Sequence, residues 1–176
     1  MAARSKVPLV LKSAFSSTTA EQTAGEQKTI DLSAYTNALE GKVLKINQVW
    51  FSIDTGSAYP LSTSYYEGDD SQGTLELTTG TQTGLLGPQD DRMIQYAQYY
   101  YQAKDITGDS TPPQWFSVLP VPAMGYYVAA DVLTFMHASQ AIFDDTVRFC
   151  VVIEAEKVKL RPADINFLLV NQTLSG

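Results

Sequence analysis

Short apolar runs with period-two alternation, each closed by Gly, Pro, Ser, Thr, Asn or Asp, recur along the chain and constrain the fold more than any other feature. Period two places successive side chains on opposite faces of a strand, and turn residues at this density leave no room for long helices. Strands are expected at residues 7–15, 27–32, 43–53, 73–79, 114–119, 126–128, 132–136 and 147–158. Within 43–53, Leu44 and Ile46 share one parity, and Val49, Phe51 and Ile53 the other. That slip predicts a β-bulge near Asn47–Gln48.

Two segments are ambiguous. In 90–104, Ile94, Ala97 and Tyr101 allow a helix stripe, while the Tyr96 and Tyr99–Tyr101 cluster favours a strand, the preferred reading. Residues 33–41 fit one helical turn, capped by Ser33 and ended by Gly41. Residues 16–25 and 55–72 read as loops, and Asp144–Asp145 as a turn. Arg161–Gln172 reads as a short helix, with Pro162 in its first turn and Asp164 at its positive end. The expected fold is all-β: a jelly-roll-type antiparallel β-sandwich of about eight strands with a short C-terminal helix. It is expected as one domain over residues 1–176, with residues 1–6 a basic arm.

Composition removes several functions. One Cys (Cys150) and one His (His137) exclude a disulfide framework, an all-Cys metal site and HExxH zinc chemistry. Gly-rich phosphate signatures and a GxSxG elbow are missing. His137 reads as a packed or surface residue, and Cys150 as a buried structural thiol. Asp69–Asp70, Asp90–Asp91 and Asp144–Asp145 read as turn carboxylates. Glu154 and Glu156 share a strand face, and Glu67–Gly73 lacks the ligand alternation of a calcium loop. No enzymatic activity, catalytic residue, cofactor, metal or small-molecule substrate is expected. Neither an export signal nor a membrane-spanning run is read, because Val7–Leu11 is too short and holds Pro8.

The net charge of −7 conceals an asymmetry. Residues 1–45 sum to +2, residues 46–147 to −10 and residues 148–176 to +1. Jelly-roll connectivity brings the first and last strands into the same or neighbouring sheets. Arg4, Lys6, Lys12, Lys157, Lys159 and Arg161 then form a candidate basic face. The runs Tyr65–Tyr66 and Tyr99–Tyr100–Tyr101 cannot all face one core. They are candidates for an aromatic interface or a sugar-stacking platform.

A long strand at 147–158, a polar hinge (KLRPAD) and a small apolar helix (INFLLVNQ) close a short, acidic, β-rich chain. This layout resembles the small single-jelly-roll capsid proteins of tailless icosahedral viruses. It is similar also to coat or minor structural proteins of bacterial and archaeal viruses. The resemblance rests on architecture and the C-terminal layout, and it carries over no catalytic residue. Tailed-phage major capsid proteins have much longer chains. The resemblance implies a virion shell subunit, assembled in the host cytoplasm with copies of itself or with a sister capsid protein as well, whose basic residues Arg4, Lys6, Lys12, Lys157, Lys159 and Arg161 serve assembly or face the particle interior, toward genome or lipid. The alternatives are a carbohydrate-binding module of a viral spike or fibre and a carboxylate-only glycosidase.

Overall fold

A computed structural model describes residues 8–54, 71–101, 114–141 and 146–173. Nine strands and two α-helices are present among them: β1 (Leu9–Ser17), α1 (Thr19–Ala24), β2 (Glu26–Asp31), β3 (Lys42–Asp54), β4 (Ser71–Thr79), β5 (Met93–Tyr101), β6 (Gln114–Leu119), β7 (Tyr126–Val128), β8 (Val132–Ala141), β9 (Val147–Lys159) and α2 (Pro162–Thr173). One sheet has the order β1-β9-β3-β7 and the other β2-β8-β4-β5-β6. The pairing is nested: β1 lies antiparallel to β9, β2 to β8, β3 to β7, and β4 to β5. A long hairpin folded over on itself gives this order, which is the jelly roll; β6 adds an edge strand beside β5.

Side-chain parity explains why these segments pair. Val147, Phe149, Val151, Ile153 and Ala155 alternate along β9 and are all fully buried. Across from them, β3 presents Leu44 and Ile46, then Val49, Phe51 and Ile53, to the same core. The register shifts between Ile46 and Gln48, so the expected bulge is what keeps both sets inward. The core is aromatic at its centre. Phe51 stacks on Phe135 with ring centroids 5.6 Å apart, and Phe15 lies 5.1 Å from Phe135.

Two local expectations need correction. The 16–25 loop contains α1, because Thr18-x-x-Glu21 is a capping signal: the Glu21 carboxylate accepts both the backbone N–H and the hydroxyl of Thr18, at 2.8 and 2.7 Å. In 33–41 the turn is a 3₁₀ turn at Ala38–Glu40, capped by Asn37 rather than Ser33. Ser33 donates its N–H to the Asp31 carboxylate at 2.8 Å, forming an Asx turn instead. Gly41 ends the turn as expected, at φ +77°.

α2 lies over the outer face of the four-stranded sheet, where Ile165 joins Val43 and Ala129 in a second apolar cluster. Gln172 fastens the helix to edge strand β7. Its side-chain amide accepts from Ala129 N–H at 3.1 Å and donates to Tyr127 C=O at 2.6 Å. These two backbone groups would otherwise offer pairing to another strand, so Gln172 closes that edge.

On the five-stranded sheet, residues 80–92 fold over the outer face. Glu76 is fully buried beneath them, and its carboxylate accepts Leu86 N–H at 2.9 Å and Gly87 N–H at 3.1 Å. Burial raises its pKa, and the two amides partly offset that effect. Asp90 and Arg92 form a two-pronged pair (2.9 and 2.8 Å) that shapes the end of this strap.

Candidate functional site

The structure separates the sequence-derived basic set. Lys12 is exposed on the outer face of the four-stranded sheet, opposite Val152, in a row that continues to Trp50. Arg161 pairs with Asp164 at 3.0 Å in the first turn of α2. Lys157 and Lys159 stand at the end of β9, away from Lys12. Arg4 and Lys6 lie outside the described residues.

Register adds a residue that was not grouped with them. Lys42 and Lys159 are direct cross-strand partners, and Lys157 follows two positions along β9. These three lysines line a cleft of about 420 Å³ with Ser33, Tyr35 and Asn37. The Lys157 ammonium sits 4.9 Å from the Tyr35 ring centroid, a cation–π contact. Glu40 forms an ion pair with Lys42, whose hydrogen bond holds the Glu40 carboxyl below its usual range. Asp31 sits at the margin, engaged by Ser33 N–H. Lys159 also draws on the Glu40 carboxylate, which therefore screens the like-charge Lys42–Lys159 pairing in the sheet.

The tyrosine set divides by strand parity. Tyr99 points inward and is 2% exposed; its hydroxyl lies 2.8 Å from His137 Nε2. Tyr100 points outward and lines a cleft of about 550 Å³ with Gln72, Thr74, Leu85, Gln98 and Ser139. Uncharged amide, hydroxyl and aromatic groups dominate its wall. Tyr101 closes β5, and Tyr65 and Tyr66 lie outside the described residues.

His137 is fully buried, with its ring stacked 3.7 Å from that of Phe149. Burial drives its pKa down to about 3, and its Nδ1 has no hydrogen-bond partner. An imidazole so placed stays neutral near pH 7, as a core residue does. Cys150 departs from expectation. Because Phe149 and Val151 point inward, Cys150 is on the outer face and only partly buried, 3.4 Å from Asp54 Oδ2. Burial, followed by the Asp54 carboxylate, raises its pKa, which keeps the thiol protonated and unreactive. Glu154 and Glu156 share the outer face of β9 as expected, and Glu156 lies 3.5 Å from Lys45. Asp90 occupies a turn; Asp69–Asp70 and Asp144–Asp145 lie outside the described residues.

Among the described residues, no helix is long and apolar enough to cross a membrane. No family model matches the chain, and no curated protein matches it.

Proposed function

We propose that this chain is a virion shell subunit that self-assembles, without enzymatic activity, through strand edges and surface patches. The observation that carries the reading is a jelly roll with two unlike apolar patches left open to solvent. One lies at edge strand β6 and the turn after it, where Val118 and Leu119, on opposite faces of the strand, and Met124 are 49%, 41% and 83% exposed. The other comprises Phe167 and Val170 on the outward side of α2, at 67% and 50% exposure. Unlike patches that meet head to tail make heterologous contacts, which close into rings or continue into lattices. A second copy of the chain is therefore the expected occupant of each.

The test is sedimentation of the purified protein beside Met124→Asp and Phe167→Asp. Both residues are exposed, so each variant is expected to melt within about 0.5 kcal/mol of the wild type, as surface substitutions do. Assembly should fall sharply in both. Variants that assemble as the wild type does would refute the patches as contacts.

The neutral Tyr100 cleft favours a second reading, a saccharide-binding β-sandwich of a spike or fibre. Glutamine amides and hydroxyls match sugar hydroxyls as donor and acceptor at once, and an aromatic ring offers a stacking face. A glycan array, with and without calcium, is expected under this reading to show binding that Gln98→Ala and Tyr100→Ala weaken at least tenfold. An array without any bound sugar removes it.

A further inference from the structure

We infer that the Lys42–Lys157–Lys159 cleft at the end of the sandwich binds the phosphate backbone of a single-stranded nucleic acid. Three observations converge on it. The β3–β9 register gathers Lys42, Lys157 and Lys159 around one cleft at the end of the sandwich. Glu40 pairs with Lys42 and is also drawn to Lys159, and with Asp31 at the margin it leaves the three lysines in excess, so the cleft keeps net positive charge on a chain whose total is −7. The wall also offers the Asn37 amide as a donor to phosphate oxygens, and the Tyr35 ring, whose other neighbour is the Lys157 ammonium, beside it.

Spacing favours an extended strand. Lys157 and Lys159 are two residues apart on β9, about 6.6 Å along the strand axis, close to the step between phosphates of an extended single strand. A duplex calls for a wider basic footprint than three lysines provide. A bilayer calls for lysines on a flat or convex surface, whereas these line a cleft. Lys12 and Arg161, one on the sheet face and one paired with Asp164, take no part. The inference stands on the cleft and does not depend on shell assembly.

Fluorescence anisotropy with a labelled 20-nucleotide oligo-dT at 50 and 200 mM NaCl tests it, beside a labelled duplex and phosphatidylserine vesicles. Binding is expected for the single strand, with a log–log salt slope of about −2, as three phosphate contacts would give. Lys157→Gln/Lys159→Gln should weaken binding at least tenfold, Lys157→Arg/Lys159→Arg should restore it, and Lys12→Gln should leave it unchanged. Lys157 and Lys159 are exposed, so the glutamine pair should fold and melt within about 1 kcal/mol of the wild type, the Lys157–Tyr35 contact being its main loss. No oligonucleotide binding at 50 mM salt overturns the inference, as does equal binding by the glutamine pair. Vesicle binding without oligonucleotide binding overturns it in favour of a lipid headgroup. Loss of assembly with oligonucleotide binding intact would strike the shell reading alone.

Discussion

Acidification from pH 7 to 4.5 is expected to lower the melting temperature by about 5–10 °C through His137 alone, equivalent to about 2–3 kcal/mol for a domain of this size. The folded imidazole has a pKa of about 3 against 6.5 for the free side chain. Its stabilising contribution is therefore whole above pH 6.5 and is lost as pH falls toward 3, because the unfolded chain takes up the proton first. Tyr99 and Phe149 face the ring, and Glu26 is its cross-strand neighbour on β2. Burial raises the pKa values of Glu26 and Glu76, so both contribute in the opposite sense as pH falls. Amide donors already offset part of the cost at Glu76, whereas His137 Nδ1 has none.

Thermal melts of the wild type and of Tyr99→Phe/His137→Phe isolate the histidine. Replacing both members of a buried hydrogen-bonded pair by apolar rings costs little at neutral pH. The double variant should lose the acid sensitivity that the wild type shows between pH 6.5 and 4.5. Equal acid dependence in the two proteins would show that His137 does not govern it.

Phe149→Ala is expected to cost about 3–5 kcal/mol, a fall of about 10–15 °C in melting temperature. Phe149 is fully buried on β9, the strand shared by β1 and β3. Its ring touches three others: His137 at 3.7 Å, Phe15 at 5.7 Å and Tyr99 at 6.5 Å between centroids. Truncation leaves a cavity in the middle of the sandwich and strips the apolar cover from the imidazole. Phe167→Ala, on the outer side of α2, is the control and should cost less than about 0.5 kcal/mol. Comparable losses at 149 and 167 in denaturant melts would contradict the division between core and contact surface.

Local features were legible in the sequence, and features made by register were not. The parity slip around Asn47 announced the β3 bulge, and the alternation of 147–158 announced the central strand, because both are periodic signals within one segment. The Thr18-x-x-Glu21 signal of α1 was equally local but lay inside a run of small polar residues that also suits a loop. Glu76 reads as an outward residue of β4 by parity. Only the distant strap at 80–92 buries it, and nothing in Gly73–Thr79 signals that cover. Likewise, Lys157 fell at the end of the expected strand and Lys159 in the hinge after it, and the structure carries β9 on through Lys159. Lys42 joins them through the β3–β9 register, and Ser33 and Tyr35 through the turn before β3, so the cleft appears only in three dimensions. The same register sends Lys12 to the outer sheet face, which divides a set that proximity of the chain ends had suggested was one surface.

Negative-stain electron microscopy of the purified protein over rising concentration tests the shell reading most directly. The account predicts rings, sheets or closed shells of uniform repeat, built from the 19.3 kDa chain. A population that stays monomeric at millimolar concentration, with no regular assembly in any field, would contradict it.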